Sequence, residues 1–225
     1  MAQATNEKTV TIQGQPLHVV EAGQPGRQIA LLIHGWSSSW YALSPLIGLL
    51  AQRFHCLAVD LPGYGQSPPL NKPTTIPCYA DLLAELIETV SDGPVVLVGH
   101  SMGGMISIRL ALHYPLLIER MVLLSPTISG HLSKAINIFI SPITLMERFR
   151  PGSLLVTAVE RTIVGLTDRL MRPVSFAERT GITREDYARI RSDARRPGQG
   201  RVRAECFWAM RDNDLRGQLH QVETP

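Results

Sequence analysis

The residues best suited to chemistry are Gly99-His100-Ser101-Met102-Gly103, followed by Gly104: one serine with a glycine two positions to either side. The apolar run 94–98 precedes them and an apolar helical pattern over Met105–His113 follows, so the serine occupies a strand–turn–helix junction. A serine hydroxyl is a weak nucleophile until a sharp turn exposes it, a base accepts its proton and N–H donors await the developing oxyanion. Glycines around it let strand and helix approach closely. The helix behind it directs its N-terminus and free N–H groups at the same point. The chemistry implied is attack of Ser101 on an acyl carbonyl.

A second motif supports the first. His34-Gly35-Trp36 follows the short apolar strand Ile29–Ile33, at the carboxyl end where open parallel sheets place ligands, and offers a further backbone N–H. Trp36 and Met102, both through backbone N–H, are the expected oxyanion hole. His34 precedes the glycine of this loop and His100 precedes the serine, so neither swings in line onto the hydroxyl. Both are read as structural, as are Gly35, Gly99, Gly103 and Gly104. Ser37, Ser38 and Ser39 read as turn and N-cap residues.

The elements that must position these groups alternate strictly. Two β-rich runs, Thr9–Gln13 and Pro16–Glu21, read as an antiparallel hairpin around Gly14-Gln15. Strand Ile29–Ile33, helix Ser44–Arg53, strand His55–Val59, helix Tyr79–Val90, strand Val95–Val98, helix Met105–His113 and strand Met121–Leu124 then follow. Strands this uniformly apolar are buried on both faces, which predicts an α/β fold: a mostly parallel, doubly wound sheet. From Ser129 to about Gln218 the pattern is helical: His131–Phe149, Ser153–Leu170, Thr183–Asp193 and Val202–Asp212, with a loop at 195–200.

His34-Gly35-Trp36, Asp60-Leu61-Pro62-Gly63-Tyr64-Gly65-Gln66-Ser67 and Gly99-His100-Ser101-Met102-Gly103-Gly104, in this order and spacing, resemble the α/β-hydrolase family with a helical cap. The resemblance covers essentially the whole chain. It implies a core over residues 1–128, a cap over 129–218 inserted after the sixth of eight strands, and a return toward the core over 219–225. It implies that Asp60 orders its Pro-Gly turn. It also implies a serine hydrolase for esters or related acyl bonds, because relatives that open epoxides or remove halides place an aspartate at the elbow. Neither metal nor organic cofactor is called for.

The same resemblance expects a triad acid and then a histidine after Ser101. Leu124-Ser125-Pro126, the alternative site for the acid, has no carboxylate. His113 falls late in a helix, His131 opens the cap, and His220 precedes the expected acid position. The expectation is therefore a chain with no triad acid and no triad base, ending before the last two strands of the sheet: a fragment, a truncated reading frame or part of a split protein. A catalytically silent binding protein is the alternative.

Composition narrows the partners. The chain has 225 residues, 44% hydrophobic and 18% charged, an ordinary globular balance. Its net charge of +3 is unevenly spread: residues 1–127 carry 6 Lys/Arg against 8 Asp/Glu, residues 128–225 carry 16 against 11. No aromatic residues interleave with the arginines of that second half in a stacking pattern, which speaks against nucleic acid. Three cysteines and a polar start fit a cytoplasmic protein. The apolar stretch Ala135–Met146 is interrupted by Pro142 and too short to span a bilayer, leaving peripheral contact of the cap with lipid as the membrane role open to it. The expected ligand is a small, apolar acyl compound.

Overall fold

The structure is a computed structural model that describes residues 5–130, 138, 141–142, 144–146, 183–193 and 199–225. Six strands form one sheet among the described residues: β1 (Asn6–Ile12), β2 (Gln15–Ala22), β3 (Ile29–Ile33), β4 (His55–Val59), β5 (Val95–His100) and β6 (Ile118–Leu124). Their spatial order is β1-β2-β4-β3-β5-β6. β1 and β2 form the expected antiparallel hairpin, β2 runs antiparallel to β4, and β4, β3, β5 and β6 are mutually parallel. This is the α/β architecture that the alternation of apolar strands and helices predicts.

Alternate side chains of the central strands enter two separate cores. Leu31, Ile33, Leu57, Val59, Val95 and Leu97 face helices α2 (Ile76–Val90) and α3 (Met102–His113). Ala30, Leu32, Cys56, Ala58, Val96 and Val98 face Trp40, Leu43 and Ile47, the last of these on helix α1 (Ser44–Leu50). Each fully buried Val, Leu or Ile contributes about 1.5–3 kcal/mol, so the sheet is the rigid platform of the molecule. β6 is different. Val122 is 45% exposed, and Glu119 and Arg120 pair with each other at the surface.

Several elements begin earlier than sequence patterning predicts, for separate reasons. β1 starts at Asn6, because an edge strand of a hairpin accommodates the polar Asn6-Glu7-Lys8. α2 starts at Ile76: Pro77 falls in the first turn, where its missing N–H is not needed, and Thr75 caps by accepting from Cys78 N–H at 3.2 Å. α3 starts at Met102, immediately after Ser101, although Gly103-Gly104 has poor helix propensity. β6 starts at Ile118, whose buried side chain precedes the surface pair Glu119 and Arg120.

Two later helices are described, α4 (Arg184–Asp193) and α5 (Gln199–Asp212). α4 opens on a capping box in which Thr183 Oγ1 accepts from Asp186 N–H at 3.0 Å. α5 begins within the expected 195–200 loop, taking in Gln199 and Gly200. The expected helix Ser153–Leu170 and most of His131–Phe149 lie outside the described residues. After α5 the chain makes a 3-10 turn over Arg216–Gln221 and reaches β6, where Pro225 O accepts from Met121 N–H at 2.8 Å.

Candidate active site

Ser101 joins β5 to α3 with φ +52° and ψ −112°, a left-handed conformation rarely adopted by a residue with a side chain. Such strain persists only where the surroundings over-determine it. Here they do. Ser101 N–H donates to Leu124 O at 3.0 Å, and Ser101 O accepts from Met105 N–H at 3.2 Å and Thr127 N–H at 3.0 Å. A methyl group at Gly103 would overlap the Ile33 carbonyl oxygen, and one at Gly99 would lie 2.6 Å from Gly103 O. Strand and helix thus meet backbone to backbone. The remaining elbow glycine, Gly104, leaves its space to Pro126.

Gly35 lies against this turn. A methyl group there would sit 3.0 Å from His100 Nδ1 and 3.2 Å from Ser101 Cβ. The loop carrying Trp36 is therefore in contact with the serine, and Met102, the residue after the serine, is the buried first residue of α3. Ser101 and Trp36 are half-buried. Ser101 Oγ has Thr127 Oγ1 3.5 Å away, and among the described residues no histidine or carboxylate hydrogen-bonds it.

His34 is fully buried with both ring nitrogens occupied: Nδ1–H donates to Gly35 O at 2.8 Å and Nε2 accepts from Leu61 N–H at 3.0 Å. Burial holds its pKa below 6.5, so the ring is neutral in the tautomer these bonds require. His100 is also depressed by burial. Asp60 braces from below. Its Oδ1 accepts from Trp40 N–H at 2.8 Å, and its Oδ2 from Gln66 N–H at 2.9 Å and His18 Nδ1 at 2.8 Å. Burial raises the Asp60 pKa, but the His18 bond and these N–H donors outweigh it and the carboxyl stays below its usual value. Burial likewise opposes charge on His18, and the Asp60 carboxylate wins, raising His18 above 6.5.

The loop 36–41 is also held from above. Trp36 Nε1–H donates to Arg203 O on α5 at 2.8 Å, with the indole 5.8 Å from the Phe207 ring. Ser39 Oγ–H donates to buried Asp193 Oδ2 on α4 at 2.8 Å, and Tyr41 O–H to Asp186 Oδ1 at 2.7 Å. The Arg189 guanidinium lies 5.0 Å over the Tyr41 ring. Farther along, Val202 of α5 fills the space beside Gly63, and Glu205 accepts from Thr74 N–H at 2.8 Å.

The histidines weighed as bases are placed apart from the serine or lie outside the described residues. His113 is exposed at the end of α3 and His220 is exposed in the 3-10 turn, whereas His131 is not among the described residues. Asp60 lies where the resemblance implies, bonded to Gln66 N–H of its Pro-Gly turn, whereas sequence reasoning missed three groups around the site: Thr127, Asp193 and His18, the partner of Asp60. Thr127 lies two positions beyond Ser125, immediately after the stretch 124–126 where the resemblance expects an acid. Among the described residues no cluster of His, Cys, Asp or Glu is arranged to hold a metal ion, and no helix is long and apolar enough to cross a membrane.

A family model described as the alpha/beta hydrolase family matches residues 30–220. The chain belongs to the alpha/beta hydrolase family. Among curated relatives, the uncharacterized hydrolase YugF of Bacillus subtilis is 37% identical over 128 residues, 56% of this chain and 45% of that protein. The (E)-2-((N-methylformamido)methylene)succinate hydrolase of Acinetobacter baylyi is 35% identical over 108 residues, 48% of this chain and 40% of that protein. Epoxide hydrolase 4 of Mus musculus is 29% identical over 114 residues, 50% of this chain and 32% of that protein. The chain thus aligns with less than half the length of each of these relatives. A solved hydrolase from Pseudomonas aeruginosa has the same fold, with a TM-score of 0.74 at 23% identity, covering 98% of this chain and 78% of that one. Epoxide hydrolase CorEH superposes with a TM-score of 0.72 at 25% identity over 96% of this chain and 76% of its own. This alpha/beta hydrolase therefore has a hydrolase's scaffold with serine at the elbow.

Proposed function

We propose that this site hydrolyses an ester, or a related acyl bond, through an acyl-enzyme on Ser101. The observation that carries the reading is the backbone of Ser101 at φ +52°, held by β5 and α3 in a half-buried turn against the Gly35-Trp36 loop. In the proposed sequence Ser101 Oγ attacks the carbonyl carbon and a base takes its proton. The oxyanion is met by the N–H groups of Met102 and Trp36, and collapse expels the leaving group and leaves an ester on Ser101. Water then cleaves that ester and restores the hydroxyl.

Some of the relatives and neighbours are epoxide hydrolases, and the chemistry of the nucleophile separates this chain from that reaction. Opening an epoxide by a serine oxygen forms an ether, which water does not cleave under the same conditions. An acyl transfer to serine forms an ester, which it does. The described residues supply no base to Ser101, so the reading assigns base and acid to residues outside those described.

Residues 129–218 are proposed as a cap covering the site and 1–128 as the core. Support comes from the two ends of that insertion, where Leu215 N–H donates to Ile128 O at 2.9 Å. Ile138, Leu145 and Met146 are exposed apolar residues of the same region, in keeping with a small apolar acyl substrate and with peripheral lipid contact. Free Cys56 and Cys206 are buried thiols, pushed up to about 11 and about 12 by burial, and suit a reducing cytoplasm.

A fluorophosphonate probe tests the reading: wild-type protein is expected to be labelled at Ser101 and Ser101→Ala is not. Equal labelling of the two would defeat it. The silent-protein reading draws on Thr127, whose hydroxyl at 3.5 Å is the hydrogen-bonding neighbour of Ser101 Oγ among the described residues, and predicts no labelling of the wild type together with binding of apolar esters.

A further inference from the structure

The loop that follows β3 supplies one of the two proposed oxyanion donors, and its fastening is asymmetric. Its lower anchor belongs to the sheet: Asp60, at the end of β4, accepts from Trp40 N–H at 2.8 Å. Three further fastenings among the described residues come from residues more than 140 positions later in the chain. They are the indole N–H of Trp36 to Arg203 O, the hydroxyl of Ser39 to Asp193 and the phenol of Tyr41 to Asp186. Of these, the Ser39–Asp193 bond is the buried one, with both side chains nearly inaccessible. Ser37, between Trp36 and the anchors, adopts φ +53°, a left-handed conformation that needs support from both sides. Water cannot substitute freely for a bond at such depth, so losing the acceptor leaves a buried hydroxyl unsatisfied.

Resting on the proposed role of Trp36 N–H, we infer that Asp193 is a positioning residue for the oxyanion hole. By holding Ser39 it fixes the strained turn at Ser37 and sets the direction of the Trp36 N–H toward Ser101. α4 thereby supports a site whose nucleophile and proposed oxyanion donors lie just beyond the ends of β3 and β5. Arg189, whose Nε lies 3.4 Å from the same Asp193 oxygen and whose guanidinium stacks on Tyr41, joins carboxylate and loop into one unit. Donors in such a hole act only when aimed at the position where charge develops, and small displacements cost large factors in rate.

The test combines amide hydrogen exchange with fluorophosphonate labelling on the full chain, comparing wild type, Asp193→Leu, Asp193→Asn and Ser39→Ala. Asp193→Leu is expected to raise exchange in residues 35–42 by about tenfold while leaving β3 and β5 protected, and to slow Ser101 labelling by about tenfold. Asp193→Asn keeps an acceptor for Ser39 and is expected to stay within about threefold of wild type in both readouts. Ser39→Ala removes the donor and also the acceptor that caps Tyr41 N–H at 3.3 Å, so it is expected to loosen residues 35–42 at least as much as Asp193→Leu and serves where that variant does not fold. Unchanged exchange at 35–42 overturns the inference, as does a rise spread evenly over the sheet. Faster exchange at 35–42 with unchanged labelling overturns it too. Labelling that survives Ser101→Ala instead defeats the nucleophile reading, a result independent of the exchange data.

Discussion

The turn at Ser101 and the loop at Trp36, proposed to supply the two oxyanion donors, lie against each other at Gly35, yet they are built on different principles. The first is held by steric exclusion: the carbonyls of Ile33 and Gly103 leave no room for a side chain at Gly103 or Gly99, and Ser101 is bonded through both its N–H and its C=O. The second is held by side-chain hydrogen bonds from Asp60, Asp186 and Asp193 and by a main-chain oxygen of Arg203. Close packing of backbones has one solution and tolerates no substitution. A set of individual polar bonds is adjustable and responds to events in distant parts of the chain.

Substitutions separate the two designs. Gly103→Ala strikes the first and is expected to lower stability by about 3 kcal/mol or more, since the neighbour it meets is backbone and has no rotamer to adopt. A urea unfolding midpoint indistinguishable from wild type would show that strand and helix separate more easily than the geometry implies. Ser101→Gly acts on the same turn in the opposite direction. It removes the penalty of φ +52° and is expected to raise stability by about 1 kcal/mol while abolishing labelling, a trade of function against strain read by thermal unfolding. Tyr41→Phe touches only the second design, where loss of the Asp186 bond is expected to cost about 0.5–1 kcal/mol without altering the exchange of β5 amides.

The smallest effect expected is a slope with pH. The native pKa of His18 lies above its unfolded value of 6.5, so the His18–Asp60 pair contributes stability that is fully present below pH 6.5 and fades as pH rises through the native value. His34 has the opposite sign: buried and neutral, it costs stability as pH falls below 6.5, where the unfolded chain takes up the proton. Subtracting the profile of His18→Gln from that of wild type isolates the first contribution. A difference that does not shrink between neutral and alkaline pH would show that the brace under Trp40 works without charge.

The contrast also explains what the sequence disclosed. Glycines at 99 and 103 around a serine announce a backbone constraint, and the apolar runs of β3, β4 and β5 announce strands buried on both sides, so sheet and elbow were legible from local residues. The start of α3 was not, because Gly103-Gly104 reads as a helix breaker until the close approach to Ile33 is known. The fastening of the Trp36 loop left no local trace. Ser39 and Asp193 are 154 positions apart, and an aspartate at the end of an Arg-rich helix has the same appearance whether it faces solvent or a buried hydroxyl. Thr127 is inconspicuous for a simpler reason: the resemblance places a carboxylate, not a hydroxyl, after β6.

The bond between Leu215 N–H and Ile128 O carries a wider implication. Where a long excursion leaves and rejoins a scaffold at adjacent points, the scaffold's own path is nearly closed without it. Excursions of that kind are exchangeable modules: lengthened, shortened or replaced, they leave the register of the strands untouched. On the proposed division into core and cap, descent within such a lineage diversifies what is admitted to Ser101 by rewriting the stretch between these two residues, while the proposed nucleophile stays fixed.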